Sequence, residues 1–312
     1  MEKRVEKRVL IGIDGSSYAL NAVEYAANMF KNDPVFTMSL IYISPPLPPI
    51  LLENNEEDAD FTNWQVNYRS RLERKSQEKA KKILDKARQL LLDLGWTENR
   101  FETIHFPGRF GPARDLFFYA EHGLFDALVL GRRGVSLWEK LTMGSTADKI
   151  IHAEKTVPIW MVGNSFFSPK VLLAIDGSEN SIRAVDHAGF ILSGMENIEV
   201  TIFHVLTMYP LEEIKDLSEK WEKVVTSRIL PFMDKAEEML VKAGVPARNI
   251  RKKIKKSHKD VAGEIINYQK QENIGTIVIG RRGLSCLKAF FLGSVSTKVL
   301  NMVERGAVWI VD

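Results

Sequence analysis

The segments 126–145, DALVLGRRGVSLWEKLTMGS, and 275–294, GTIVIGRRGLSCLKAFFLGS, share one pattern of glycines. In each segment an apolar run leads to Gly-Arg-Arg-Gly, and nine residues later to Gly-Ser, where a helix-like stretch begins. A strand, a glycine loop and a helix N-terminus together are typical of a phosphate site, because glycine lets backbone N–H groups approach the anion and the helix dipole favours it. The pattern recurs 149 positions later and therefore predicts two such sites.

The rest of the chain repeats as well. VLIGIDGSSYALNAVEYA, from Val9, aligns with VLLAIDGSENSIRAVDHA, from Val171, at an offset of 162, whereas the offset is 149 from Leu84 onward. The first half is thus 13 residues longer, and the extra residues fall between about 45 and 84. The stretch 45–60, PPLPPILLENNEEDAD, is rich in proline and acid, and we interpret it as a surface loop, either a tolerated insertion or a flap beside the site. We expect two domains, 1–164 and 165–312.

Each half alternates apolar runs with amphipathic stretches. RVLIGI, VFTMSLIYIS, FETIHF, DALVLG and VPIWMV are predicted strands of the first half, with helices after Asp14, over about 64–94, over 112–122 and from Ser145. Such alternation predicts an α/β fold with a parallel, doubly wound sheet. Sheets of this kind bind ligands beyond the carboxyl ends of their strands.

Composition limits the classes of protein to which the chain can belong. A net charge of +3 gives no reason to expect nucleic acid or an acidic membrane as a partner, and the run 251–259, RKKIKKSHK, is interpreted as a solvated strand and turn. A single cysteine, Cys286, excludes an intramolecular disulfide and a cysteine-based metal cluster. No run is long enough to span a membrane or to form a signal-peptide core, so we expect a cytoplasmic protein.

Asp14 and Asp176 each end the first strand of a half. A carboxylate at this position can accept hydrogen bonds from a ribose or a base amine. The alternative is that each aspartate caps the following helix, since Asp-Gly-Ser is also a good helix start. The sequence leaves both roles open, and one residue can serve both.

The glycine segments contain hydroxyl and guanidinium groups suited to phosphate. Ser145, Thr146 and Ser294 follow the third glycine and are interpreted as phosphate ligands, with ordinary helix capping as the alternative. Arg132 and Arg281, with Arg133 and Arg282, can neutralise a polyphosphate or simply lie in an exposed loop. A triphosphate would bring magnesium, although no acidic cluster with ligand spacing is visible. No nucleophile–base pair, P-loop or dinucleotide fingerprint occurs, so we predict a binding site and no catalytic residues.

The G-x2-G-x9-G-[S/T] pattern, together with a first strand ending in Asp-Gly-Ser, resembles the universal stress protein family over essentially the whole chain. The resemblance implies two tandem Rossmann-like domains, each a five-stranded parallel sheet with helices on both faces, from the branch that binds ATP. It places Asp14 and Asp176 beside the adenosine, and the backbones of Ile43 and Val205 at the adenine edge. It assigns the ribose and phosphates to Gly131, Gly134, Gly144 and Ser145 in the first site, and to Gly280, Gly283, Gly293 and Ser294 in the second. Their neighbours Arg132, Thr146, Arg281 and Val295 complete the predicted set of cofactor-binding residues.

The resemblance implies a stress-response protein that senses ATP or AMP, or regulates through them, with weak hydrolysis at most. A slow ATPase and an interaction scaffold with vestigial pockets are the alternatives. Tyr42 departs from the histidine that is common at its position, which His204 keeps in the second half. The family's last strands commonly pair between protomers, so VPIWMV and VWIVD are expected to pair within one chain as an internal pseudo-dimer. A homodimer or a protein partner would then use other sheet edges.

Overall fold

A computed structural model of the chain describes residues 5–53, 59–132, 157–208, 215–257, 260–281 and 293–312. The first half contributes, in chain order, β1 Lys7–Gly12, α1 Ser17–Phe30, β2 Phe36–Ser44, α2 Ala59–Asp93, β3 Phe101–Pro107, α3 Pro112–His122, β4 Ala127–Gly131 and β5 Ile159–Val162. The second half contributes β6 Lys170–Ala174, α4 Glu179–Leu192, β7 Glu199–Thr207, α5 Lys215–Ala243, β8 Ile250–Ser257, α6 Val261–Gln271, β9 Thr276–Gly280, α7 Ser294–Met302 and β10 Ala307–Val311.

All ten strands belong to one sheet, in the order β3-β2-β1-β4-β5-β10-β9-β6-β7-β8. Neighbours within each half are parallel, and the halves meet where β5 and β10 pair antiparallel, with Trp160 opposite Trp309. The predicted parallel sheet of five strands is therefore confirmed in each half, and the last strands do pair within one chain. Because this seam is antiparallel, the strands of the two halves point in opposite directions. Their carboxyl ends lie at opposite edges of the sheet.

Helices cover both faces of the sheet, as the alternation predicts. Helices α1, α2, α4 and α5 pack on one face, against side chains such as Val9 and Ile11. Helices α3, α6 and α7 pack on the other face, where Leu10 and Leu128 are fully buried. Strands that are apolar on both faces are typical of buried parallel sheets. No helix in the described ranges is both long and apolar enough to cross a membrane.

Two tryptophans stabilise the antiparallel seam between β5 and β10, and each donates an equivalent hydrogen bond. The rings of Trp160 and Trp309 stack with centroids 4.1 Å apart. Trp309 Nε1 donates to the Tyr25 hydroxyl at 3.0 Å, and Trp160 Nε1 donates to His187 Nε2 at 3.1 Å. Tyr25 and His187 occupy equivalent positions of α1 and α4, so the same bond is made by a phenol in one half and an imidazole in the other.

A buried ion pair also joins the halves. Lys7 Nζ lies 2.6 Å from Asp33 Oδ2, with both side chains almost fully buried, and it donates to the Ser193 carbonyl at the end of α4 at 2.8 Å. A buried charge is tolerated only when it is paired and its remaining donors are satisfied. The lysine therefore couples the first strand of one half to a helix end of the other.

The interpretation of residues 45–60 as a surface loop is only partly right. Residues Pro49–Leu51 form a 3₁₀ turn, and α2 already begins at Ala59, five positions before its predicted start near residue 64. Gln65 Nε2 holds the turn against the helix by donating to the carbonyls of Ile50 and Glu53, at 2.7 and 2.8 Å. Proline and acidic residues are good loop formers, but an acid near a helix N-terminus also stabilises the helix, as Asp60 does in the first turn of α2.

The basic run forms the edge strand β8, and α5 supplies much of its countercharge. Lys252 Nζ lies 2.7 Å from both Asp234 and Glu237, and Lys256 pairs with Glu222. Lysines on an edge strand also discourage pairing with a further strand. These contacts agree with a solvated structural strand.

Candidate nucleotide-binding clefts

Each half contains a cleft at the carboxyl ends of its strands, between β1 and β4 or between β6 and β9. At these points the strand order reverses, which is where open α/β sheets bind ligands. The first cleft encloses about 240 Å³ and the second about 290 Å³. The predicted site residues that line the first cleft are Asp14, Ile43 and Gly131. Those that line the second are Asp176, Val205, Gly280, Gly293, Ser294 and Val295.

The Asp-Gly-Ser turn has the same geometry in both halves. In the first, Asp14 Oδ1 accepts a hydrogen bond from the Ser16 N–H at 2.9 Å, and Gly15 takes a positive φ of 85°. Ser16 Oγ then accepts from the Ala19 N–H at 3.2 Å and is the N-cap of α1. Serine thus takes the role that the alternative interpretation gave to the aspartate. Asp14 precedes the cap and is exposed where the cleft opens.

The second half repeats the turn with the same distances. Asp176 Oδ1 accepts from the Ser178 N–H at 2.9 Å, Gly177 has a φ of 82°, and Ser178 caps α4 by accepting from Ser181 N–H at 3.2 Å. Only glycine adopts this left-handed conformation without strain. The sequence Asp-Gly-Ser therefore specifies a turn that keeps the carboxylate at the cleft and leaves capping to the serine.

The first glycine of each segment has a packing reason as well. A Cβ added to Gly131 would lie 2.4 Å from the Tyr18 carbonyl carbon, and one added to Gly280 would lie 2.8 Å from that of Asn180. Both contacts are with the first turn of the helix that follows the Asp-Gly-Ser turn. Glycine at this position lets the strand end approach that turn, which closes the floor of the cleft.

Backbone groups of β2 and β7 point into the clefts. The Ile13 N–H donates to the Ile41 carbonyl at 2.8 Å, so the polar groups of Ile41 face β1. Alternate residues of a strand direct these groups to the same side, so Ile43 presents its N–H and carbonyl just beyond the end of β1. Val205 has the equivalent geometry, because the Ile175 N–H donates to the Phe203 carbonyl at 2.9 Å.

His204 lines the second cleft and is not among the predicted site residues. Its Nδ1 lies 2.8 Å from the Ile175 carbonyl, and burial lowers the pKa of the ring. A carbonyl only accepts, so Nδ1 carries the proton and Nε2 of the neutral ring is an acceptor. Tyr42 at the equivalent position is buried, so the two clefts differ in polarity here. The signal that could have identified His204 is its position on β7, the strand that follows the Asp-ended first strand of the second half.

Helix α7 begins at the second cleft without a side-chain cap. Gly293 is its N-cap, and Ser294, the first helical residue, is exposed. The alternative interpretation, in which Ser294 caps the helix, is therefore wrong. The glycine N–H donates to the Arg281 carbonyl at 2.8 Å, and Ser296 Oγ donates to the Gly280 carbonyl at 2.8 Å, which fixes the first turn against β9. The N–H groups of a first helical turn have no partner within the helix, and the residues of this turn line the cleft.

Both described arginines of the glycine segments bind within the protein. Arg281 is buried, and its Nη1 lies 2.9 Å from Asp312 Oδ2. Arg132 Nη2 donates to the carbonyl of Asn301, in the last turn of α7, at 2.8 Å. Phosphate contact by these arginines stays a prediction. The predicted ligands Gly134, Gly144, Ser145, Thr146 and Gly283, together with Arg133 and Arg282, lie outside the described residues.

The arrangement offers hydrogen-bonding groups and, in the second cleft, the positive end of a helix dipole, which suits an anion with a polar ring system. Across the described residues, no group of three or more histidine, cysteine, aspartate or glutamate side chains could hold a metal ion.

Comparison with known proteins agrees on one family. A model described as the Universal stress protein family matches residues 6–162 and 168–311. Universal stress protein YxiE of Bacillus subtilis is 34% identical over 142 residues, which cover 43% of this chain and 92% of that protein. A universal stress protein of Archaeoglobus fulgidus matches 99% of this chain and 97% of its own, with a TM-score of 0.57 and 22% identity, and so shares the fold. A universal stress protein solved in complex with cAMP matches 46% of this chain and 95% of its own, at 23% identity and a TM-score of 0.34.

Proposed function

Because the chain belongs to the universal stress protein family, we propose that it binds adenine nucleotides, ATP or AMP, in its two clefts and acts as a nucleotide-dependent regulator of a stress response. Each repeat, 1–164 and 165–312, would then hold one nucleotide. We also propose that the protein works in the cytoplasm. Any protein partner or second copy would bind away from the seam, since β5 and β10 already pair with each other.

The second cleft carries the argument. The single most important observation is that the first turn of α7, which has no side-chain cap, opens into the same cleft as Asp176. Its backbone N–H groups suit a phosphate, and Ser294 and Val295 belong to that turn. At the other end of the cleft, the Val205 backbone offers one donor and one acceptor, which matches the hydrogen-bonding edge of adenine. The carboxylate of Asp176 suits a ribose hydroxyl.

The first cleft has the same adenosine end. Asp14 and the Ile43 backbone stand in the positions of Asp176 and Val205, and the turn distances agree. Lys79 of α2 also lines this cleft and would add a positive charge near a phosphate. Its counterpart by the repeat is Arg228, which is absent from the described lining of the second cleft. We therefore expect the two clefts to differ in affinity.

Magnesium would accompany ATP as the nucleotide's own counterion. Each cleft offers one carboxylate at the end of its first strand, and a hard cation held by one carboxylate keeps several waters and binds chiefly to the phosphates. Asp14 and Asp176 are the residues that could contact such an ion. Hydrolysis is expected to be weak at most, in keeping with a role in holding the nucleotide.

The test starts with the purified protein. Mass spectrometry should identify adenine nucleotide that co-purifies with it, and calorimetry on nucleotide-free protein should give up to two sites for ATP or AMP. The variants Asp14→Asn and Asp176→Asn each keep an oxygen that can accept from the serine N–H but replace the other oxygen by an NH₂ donor. Each variant should therefore remove one site and leave the other.

Glu179→Gln is the matched control. It replaces an exposed carboxylate in the first turn of α4 that pairs with Arg183 and is absent from the described lining of the cleft, so binding should persist at both sites. Absence of heat with ATP, ADP and AMP on nucleotide-free, folded protein would refute the proposal and favour a scaffold whose pockets are vestigial. Release of phosphate faster than about 1 s⁻¹ would favour an ATPase, since that is the lower end of typical enzyme turnover.

A further inference from the structure

We propose that Arg132, at the end of β4 beside the first cleft, is a positioning residue for the second cleft. It acts through α7, whose last turn it holds while the first turn of the same helix lines the second cleft. The proposal rests on the proposed function, because it assigns a role within the same nucleotide site. It differs from the sequence expectation, in which Arg132 is a phosphate ligand of the first cleft.

The antiparallel seam explains how one arginine can reach the far end of that helix. Helix α7 connects the parallel strands β9 and β10, so it runs back from the carboxyl edge of the second half to its amino edge. That edge is also the carboxyl edge of the first half, where β4 ends and Arg132 follows. The nine residues of α7 span about 13 Å, so the first turn of the helix lies about that far from its last turn.

Three polar contacts, at the first turn, the middle and the last turn, help to hold α7 in place. Its first turn is tied to β9 by the Ser296 hydroxyl, and its middle is tied to α6 by Lys298, whose Nζ lies 2.9 Å from Asp260. Its last turn receives the guanidinium of Arg132 at the Asn301 carbonyl, at 2.8 Å. Of these three ties, the one at the last turn comes from the other half of the chain.

The chemistry of this contact fits a positioning role. The last carbonyls of a helix have no partner within it, and they carry the negative end of the helix dipole. A cation that donates to one of them stabilises the last turn and opposes fraying. A firmer helix holds its first-turn N–H groups in one arrangement, so less ordering is required when a phosphate binds there.

The experiment compares the two clefts separately. Asp14→Asn leaves the second cleft to be measured and Asp176→Asn leaves the first. Arg132→Gln is added to each, and ATP affinity is measured by calorimetry. We expect a loss of about three- to tenfold at the second cleft, as for one charge-assisted bond at a helix end, and less than twofold at the first. Arg132→Lys, which keeps a charged N–H donor, should restore most of the affinity.

Arg248→Gln is the matched control, since it removes an exposed arginine of the second half that pairs with Glu196 and does not touch α7. It should leave both affinities unchanged. A loss confined to the first cleft would overturn the proposal and make Arg132 a direct ligand there. Equal losses in both clefts would also overturn it.

Hydrogen exchange separates this proposal from the proposed function. Arg132→Gln should accelerate exchange of the α7 backbone amides at least threefold in the free protein, and Arg248→Gln should not. Unchanged exchange in α7 would overturn the positioning role even if nucleotide binds. If exchange is accelerated but the protein binds no nucleotide, the result would support the role of Arg132 in holding α7 and refute only the function assigned to the clefts.

Discussion

His187 should make the stability of the protein depend on pH between 7 and 5. Its ring lies at the seam, partly buried, and burial lowers its pKa to about 3. Geometry gives a second reason for a low pKa. Nε2 accepts the indole N–H of Trp160 at 3.1 Å, so a proton on that nitrogen would leave two donors facing each other.

The magnitude follows from proton linkage. In the unfolded chain the pKa of histidine is about 6.5, so below that pH the unfolded state binds a proton that the folded state does not. The contribution of the neutral ring is fully present above pH 6.5 and is lost as the pH falls toward 3. From pH 7 to pH 5 the loss is about 2 kcal/mol, and this holds for any folded pKa below about 4.

The comparison uses His187→Tyr, which reproduces the phenol that Tyr25 supplies to Trp309 in the other half. Urea unfolding, followed by tryptophan fluorescence at pH 7 and pH 5, gives the free energy of unfolding for both proteins. The wild type should lose about 2 kcal/mol more than the variant over this interval, because other titrating groups are common to both. His187→Gln serves as a second variant without a titrating ring. Equal losses in all three proteins would refute the reasoning.

Three further changes test the packing. Gly280→Ala should destabilise the fold by about 1–3 kcal/mol because the added Cβ would lie 2.8 Å from backbone. Gly263→Ala is the control: it has open space around it in α6 and should be neutral or stabilising by up to about 1 kcal/mol. Equal urea midpoints for the two variants would contradict this. Tyr25→Phe should cost about 1–3 kcal/mol in urea unfolding, since it leaves a buried hydroxyl and a buried indole N–H without the phenol, and a neutral result would mean that water replaces it. Lys7→Met should cost about 3–5 kcal/mol at pH 7 because it strands a buried carboxylate, and a change below 1 kcal/mol would show that the pair adds nothing.

Much of the fold can be predicted from the sequence because its signals are local. Continuous apolar runs locate the strands, apolar residues spaced three or four positions apart locate the helices, and the range 112–122 matches α3 at both ends. The repeat doubles each observation. The extension of α2 could not be predicted from the same signals, because its support comes from Gln65, whose partners are backbone carbonyls of a distant turn.

The candidate site is predictable to a lesser degree. Asp14 and Asp176 reach the clefts as expected, because the strand end and the glycine turn are both encoded locally. The directions of Arg132 and Arg281 depend on partners at Asn301 and Asp312, which are far away in sequence. A motif gives a residue's place along the chain, whereas tertiary packing decides where a long side chain points.

The antiparallel pairing of β5 with β10 has a consequence for how the protein can evolve. In an assembly of two identical chains, every substitution at a twofold interface appears on both sides at once. Covalent linkage of the repeats lifts that restriction, because each side of the seam is encoded separately. One side has a phenol beside its tryptophan and the other an imidazole, a difference that two identical chains could not show. Linkage also makes this pairing independent of protein concentration, so dilution cannot separate the two clefts.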